Sequence, residues 1–244
     1  MAFSSGWIEA VQGGIKDSRW DGHDEVIRTE VGLRNAAFVV TPGFSALPWL
    51  MVKAMVWVES GGPDNPAWSG RAMQIGNPGD PALAVLLSGK EGADLILSPD
   101  LANSLKAGKI GEPAVNIRAG IAYLYTRLAK FDVASIPDRH DGVLYEHAVV
   151  KGESLASIAK QRATTVDELL ARNPGAKAAI QPGQKLRFRK ATMGLVISGW
   201  RRATSSEVAA KYNGGGDPDY SAKLDYLLEE VFTKLEPKTR VFTP

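Results

Sequence analysis

Apolar residues along the chain recur in two rhythms. Leu47, Leu50, Met51, Ala54, Met55 and Val58 fall at helical spacing and predict a buried helix. Ser45 is placed to cap it, and Pro48 is tolerated in its first turn. Glu59-Ser60-Gly61-Gly62-Pro63 follows, and two glycines with a proline stop the helix. Glu59 is thereby put in a last helical turn, facing a Gly/Pro/Asn-rich loop that runs to about Pro81. A second helix starts near Pro113, with Ile117, Ile121, Leu124, Leu128 and Phe131 as its stripe. Residues 135–142 read as a linker.

A tighter pattern follows. Residues 147–150 predict a strand, and residues 154–162 a helix with Leu155, Ile158 and Ala159 inward. Thr165 caps a helix over 166–172, with Glu168 completing a capping box. Asn173-Pro174-Gly175 ends it, and Pro182-Gly183 turns into a strand over 185–189. Beyond Ala191 the helical rhythm resumes at Val196 and Trp200. Thr204 with Glu207 forms another capping box, and this helix ends at Tyr212-Asn213-Gly214-Gly215-Gly216. Asp217 as N-cap and Pro218 at the first position open a last helix carrying Tyr220, Leu224, Leu227, Leu228, Val231 and Leu235. Residues 1–44 are less patterned. Trp7, Ile8 and Val11 share one face of a short helix, and the polar run 16–25 reads as a solvated loop. Its Asp21, His23, Asp24 and Glu25 match no metal-ligand spacing.

Composition narrows the chemistry. The 244 residues suit one large domain, or one plus a small one. With 29 basic and 27 acidic side chains, the net charge of +2 gives no electrostatic footprint for nucleic acid. The absence of cysteine removes disulfides, thiolate nucleophiles and cysteine metal sites. His23, His140 and His147 are too few for a His-rich zinc site, and no cofactor is expected. The first residues lack a basic region followed by an apolar one, so no ordinary secretory signal is read. The longest apolar stretch, about 47–58, is interrupted by Pro48 and Lys53 and is too short to span a bilayer.

The segment 145–190 resembles a LysM domain. The matching residues are His147-Ala-Val-Val-Lys-Gly-Glu-Ser-Leu155, Ile158-Ala159, Thr164-Thr-Val-Asp-Glu-Leu-Leu170, Asn173-Pro174 and Ile180-Gln-Pro-Gly-Gln-Lys-Leu186. The family's Gly-Asp-Thr-Leu reads Gly152-Glu153-Ser154-Leu155 here. The resemblance implies a βααβ unit that binds N-acetylglucosamine-containing glycans, peptidoglycan or chitin. Its groove would lie between the loop with Gly152, Glu153, Ser154 and Leu155 and the loop with Asn173, Pro174 and Ile180. A βααβ unit kept for packing or protein contact is the other reading.

The flanking segments resemble the lysozyme-like catalytic domain of soluble lytic transglycosylases and goose-type lysozymes. The resemblance rests on the order of Glu59-Ser60, Asn65-Pro66, Arg71-Ala72-Met73-Gln74, Asn116-Ile-Arg-Ala-Gly120-Ile-Ala-Tyr123-Leu124 and Tyr212-Asn213-Gly214-Gly215. Arg71 stands where that family has the glycine of Gly-Leu-Met-Gln. The fold class this implies is α+β: a mainly α-helical lysozyme-like catalytic domain (1–142 and 192–244) interrupted by an inserted βααβ LysM domain (143–191).

By that resemblance Glu59 is the single catalytic acid of a peptidoglycan-cleaving lytic transglycosylase. It protonates the bond between muramic acid and N-acetylglucosamine and then takes the proton of the muramic C6 hydroxyl as a 1,6-anhydro ring closes. Its place at a helix C-terminus after Val56-Trp57-Val58 would raise its pKa. Ser60 would orient Glu59 or the substrate acetamido group, and Met73, Gln74 and Tyr123 would line sugar subsites. Tyr212 would hydrogen-bond near Glu59, and Asn213 would shape the wall. Met73 and Tyr212 are also read as core packing. A muramidase needs a second carboxylate, for which Asp64 and Asp80 are candidates, although both also read as turn residues. A non-catalytic wall-binding component is the third reading. A wall substrate without a signal implies a chain made in the cytoplasm and delivered to the wall or periplasm by a specialised secretion system, a phage tail or a holin. An inhibitor protein would suit a toxin.

Overall fold

The computed structural model describes residues 3–138 and 140–235. The chain divides into two units, Met1–Phe131 with Ile197–Pro244, and Asp132–Val196.

Helices build the first unit: α1 (Ser5–Gly14), α2 (Asp24–Phe38), α3 (Trp49–Ser60), α4 (Ala82–Ser88), α5 (Ala93–Ile96), α6 (Pro99–Lys106) and α7 (Pro113–Leu128). Its core centres on α3, where Val52, Ala54, Met55, Val56 and Trp57 are buried, and on Ile117, Ile121 and Leu124 of α7. Each large apolar side chain so buried contributes about 1.5–3 kcal/mol. α2 packs on both α3 and α7.

The entry to α3 is set from outside the helix. Pro48 is its N-cap, and no side chain caps it, so Ser45 does not serve as expected. Instead Asn35 of α2 accepts the Leu47 amide at 2.9 Å and donates to the Leu47 carbonyl at 3.0 Å. The Tyr125 hydroxyl donates to the same Asn35 oxygen at 2.7 Å. The exit follows the expectation: Gly61 takes a left-handed φ of 71° and its amide bonds the Trp57 carbonyl. A Cβ at Gly62 would lie 2.4 Å from the Trp20 ring, so only glycine fits there.

The polar run 16–25 is largely exposed, as expected, but it is not a plain loop. Residues Ser18–Asp21 form a 3-10 turn and Asp24 begins α2. Lys53 of α3 is fully buried, and its Nζ donates to Asp21 at 2.5 Å and Asp24 at 2.7 Å. A charge removed from water needs such partners, and this run supplies them.

Two further expectations are corrected. α7 stops at Leu128, and Phe131 belongs to a strand, β1 (Ala129–Pro137). Residues 191–200, read as helix, form a strand that pairs with β1. Thr192, Val196 and Ile197 are β-branched and suit a strand, and pairing satisfies backbone groups a lone strand would expose. The helical spacing of Val196 and Trp200 is coincidental. Trp200 seats against Phe38, Phe44 and Tyr125, and its Nε1 donates to Thr41 at 2.7 Å.

The second unit is the βααβ element. β2 (Tyr145–Ala148) pairs antiparallel with β3 (Lys185–Phe188), with His147 opposite Leu186; β4 (Ala191–Trp200) is the strand that pairs with β1. Between β2 and β3 lie α8 (Leu155–Gln161) and α9 (Val166–Arg172). Ser154 caps α8 through a reciprocal box with Ser157. Thr165 accepts the Glu168 amide, but the Glu168 carboxylate turns to Arg172 and the Arg189 amide instead of closing a box. Val149, Ile158, Leu169, Leu186 and Phe188 form this unit's own core.

Back in the first unit, α10 (Ser205–Val208) is capped by Thr204 and widens into a π turn at Ala209–Asn213 that Gly214 ends at φ 64°. The last helix, α11 (Tyr220–Tyr226), begins two residues later than Pro218. Asp217 accepts the Asp219 amide at 2.9 Å and pairs with Lys223 at 2.7 Å, which closes a turn before the helix instead of capping it.

Candidate functional site

Glu59, Met73, Gln74, Tyr123, Tyr212 and Asn213 all line one groove of about 210 Å³. They come from α3, the loop after it, α7 and the π turn, so the chain brings together residues up to 154 positions apart by number. Asn77 and Asp80 line it as well.

The groove wall is held from beneath. Asn116, fully buried in α7, accepts the Met73 amide at 2.9 Å and donates to the carbonyls of Ile75 at 2.9 Å and Ile110 at 3.1 Å. One side chain thus satisfies two backbone groups of the irregular segment after α3 and one of the turn before α7. Gly120, one turn along, leaves room for Met73, because a Cβ there would lie 2.6 Å from the Met73 sulfur. Met73 is itself fully buried and forms wall and core together.

Gln74 sits at φ 58°, a left-handed conformation that costs a non-glycine residue on the order of 1–3 kcal/mol. Its side-chain amide donates to the Arg71 carbonyl at 3.1 Å and accepts from the Asn77 amide, which hold the turn closed.

Glu59 is half-buried at the end of α3. Burial pushes its pKa up to about 7; a hydrogen bond from Tyr220 opposes this, and the charges of Asp217 and Asp80 add to it. The Tyr220 hydroxyl donates to Glu59 Oε1 at 2.7 Å. This is the partner expected of Tyr212. The Tyr212 hydroxyl instead donates to the Met73 carbonyl at 2.8 Å, and its ring meets Tyr123 edge-on at 5.6 Å. Tyr123 in turn accepts from Arg127 at 2.9 Å. Burial raises both phenols, Tyr212 and Tyr220, well above the usual tyrosine value, so they stay neutral donors beside the carboxylate. Tyr220 reads in the sequence as packing only. The available signal was that a phenol on a fully apolar helix face needs a partner for its hydroxyl.

Ser60 is not brought to the groove. It is buried, its hydroxyl donates to the Val56 carbonyl at 2.6 Å and accepts the Gly62 amide at 3.3 Å, and it serves the helix end. Asp80 has both oxygens on backbone amides, Gly76 at 2.8 Å and Ala82 at 2.9 Å. Asp64 is exposed and paired with Arg19 at 2.7 Å. Asp80 thus closes a turn at the groove, and Asp64 is a surface residue. A carboxyl whose pKa burial raises toward neutrality, walled by phenols and amides, is suited to give and retake a proton.

In the second unit, Gly152 has φ 89°, and Glu153 accepts the Val150 amide at 2.7 Å and meets His147 at 2.8 Å. Ser154 is the α8 cap, and Leu155 and Ile180 pack on the unit's core. Pro174 opens a 3-10 turn. The Asn173 amide is fully engaged with Leu169 and both backbone groups of Arg187, so it ties α9 to β3 instead of standing free.

Residues 147–189 match the LysM domain family. The match covers the βααβ unit of an otherwise mostly α-helical protein and is consistent with a peptidoglycan-binding module. No curated protein and no solved structure matches the chain. Among the described residues, no helix is long and apolar enough to cross a membrane.

Proposed function

We propose that this chain attaches to peptidoglycan through the unit at 147–189. The observation that carries the reading is the LysM match over a unit with its own core. Co-sedimentation with purified sacculi tests it. The full chain is expected to pellet, and a chain with residues 143–191 replaced by a Gly/Ser linker is expected to lose most of that binding. Equal pelleting of the two would discard the assignment.

A second reading is favoured by the state of Glu59. We propose that the groove cleaves the glycan to which the chain attaches, as a lytic transglycosylase does. Glu59 donates its proton to the glycosidic oxygen as the bond to C1 breaks. The muramic C6 hydroxyl adds to C1, and its proton returns to Glu59. The 1,6-anhydro ring forms without consuming water, and one carboxyl serves both steps. A muramidase would need a second carboxylate to activate water; Asp80 lines the groove, but each of its oxygens already accepts a backbone amide that fixes it in a turn.

This reading fixes a pH dependence. A general acid acts in its protonated form, so cleavage is expected to be full below about pH 7 and to fall about tenfold per unit above it. A rate profile from pH 5 to 9 checks this. A profile rising steadily through pH 8 would contradict Glu59 as the proton donor.

A further inference from the structure

The loop that carries Met73 and Gln74 also carries a cation that acid catalysis does not use. Arg71 is half-buried, and its Nη1 donates to Asn77 Oδ1 at 3.2 Å. Asn77 lines the groove, so the guanidinium is held one side chain from it. The Arg71 carbonyl is the acceptor that helps hold Gln74 in its left-handed turn, so the backbone at this position is fixed as well.

Several other cations of this unit are paired with carboxylates, among them Arg118 with Glu30 and Asp100, Arg127 with Glu91, and Lys223 with Asp217. Among the described residues, Arg71 has no carboxylate within ion-pair distance. Its bond to Asn77 is to a neutral oxygen at the long end of the range. A guanidinium has five N–H donors in a planar fork that matches a carboxylate, and Asn77 takes one of them. Asp80 meanwhile puts a negative charge on the same groove. An anionic strand would meet repulsion there unless a cation balanced it.

We propose that Arg71 is a specificity-determining residue of the groove, pairing with a carboxylate of the substrate so that a carboxylate-bearing glycan is taken in preference to a neutral one. The inference rests on the reading that the Glu59 groove holds a glycan strand. Peptidoglycan carries carboxylates on its muramyl substituents, and chitin carries none.

The test uses soluble peptidoglycan strands in two forms, with carboxyls free or converted to neutral primary amides. KM and kcat are measured for the full chain and for Arg71→Gln and Arg71→Lys. The unaltered chain is expected to show a KM about fivefold lower on the free-carboxylate strands, the scale of one partly solvated ion pair. Arg71→Gln is expected to erase that preference by raising KM on the charged strands alone, with kcat unmoved, and Arg71→Lys to restore most of it. Raising salt should shrink the preference in the unaltered chain and leave Arg71→Gln unaffected. A preference that survives in Arg71→Gln, or a loss shared equally by both substrates, would overturn the proposal. The same comparison made by calorimetry reads Kd and judges Arg71 independently of turnover. Glu59→Gln run alongside separates the two ideas: undiminished cutting by that variant would sink the cleavage reading, while the Kd comparison would still decide on Arg71.

Discussion

Glu59→Gln is expected to slow release of soluble fragments from peptidoglycan by about 10²–10⁴-fold, the usual contribution of a positioned acid, while the protein still pellets with sacculi. Glutamine keeps the shape of the side chain and can still accept from Tyr220, so the groove keeps its form. It has no proton to give to a leaving oxygen. The variant also carries a stability signature that distinguishes lost chemistry from lost folding. The Glu59 pKa is raised from 4.5 to about 7 in the folded chain. Folding therefore favours the protonated form. The associated stability is complete below about pH 4.5 and is lost as pH rises through about 7, by on the order of 3 kcal/mol at most. Removing the charge removes that loss. Glu59→Gln should match the unaltered chain in denaturant titrations at pH 4 and exceed it at pH 8. A variant less stable at pH 8 would mean that the carboxylate supports the fold instead of straining it.

The second large effect is expected of Asn116→Leu, at about 3–5 kcal/mol of destabilisation by urea titration. Leucine fills a similar volume but leaves the Met73 amide and the carbonyls of Ile75 and Ile110 without the partner that Asn116 supplies. Each buried polar group so stranded costs about 1–3 kcal/mol. The loss would be felt at the groove, because the released segment carries Met73 and Gln74. Asn116→Asp supplies a control: it keeps the acceptor for Met73 but not the donors, so its cost should fall between. An Asn116→Leu protein as stable as the unaltered chain would show that the segment is held by packing instead.

The sequence shows most where local chemistry decides the outcome. The Gly61 stop, the Thr165 and Thr204 caps and the helix end at Gly214 each follow from side chains a few residues apart. Helix α2 was hidden because its buried face includes Glu30 and Arg34, which neutralise one another at 2.6 Å and break the apolar stripe. Strand β4 reads as helix in the sequence because partner choice, not propensity, fixes a ribbon strand, and that partner, β1, lies more than fifty residues upstream. In the groove, the residues flanking Glu59 in order were legible. Tyr220 was not, since its hydroxyl finds Glu59 across 161 positions. Ser60 misled because it adjoins Glu59 in sequence while its hydroxyl turns back along the helix.

The most direct test is mass spectrometry of what purified peptidoglycan releases during incubation with the full chain and with Glu59→Gln. Soluble muropeptides ending in 1,6-anhydro muramic acid are expected from the full chain and essentially none from the variant. Intact sacculi with both proteins, or equal release by both, would contradict cleavage through Glu59.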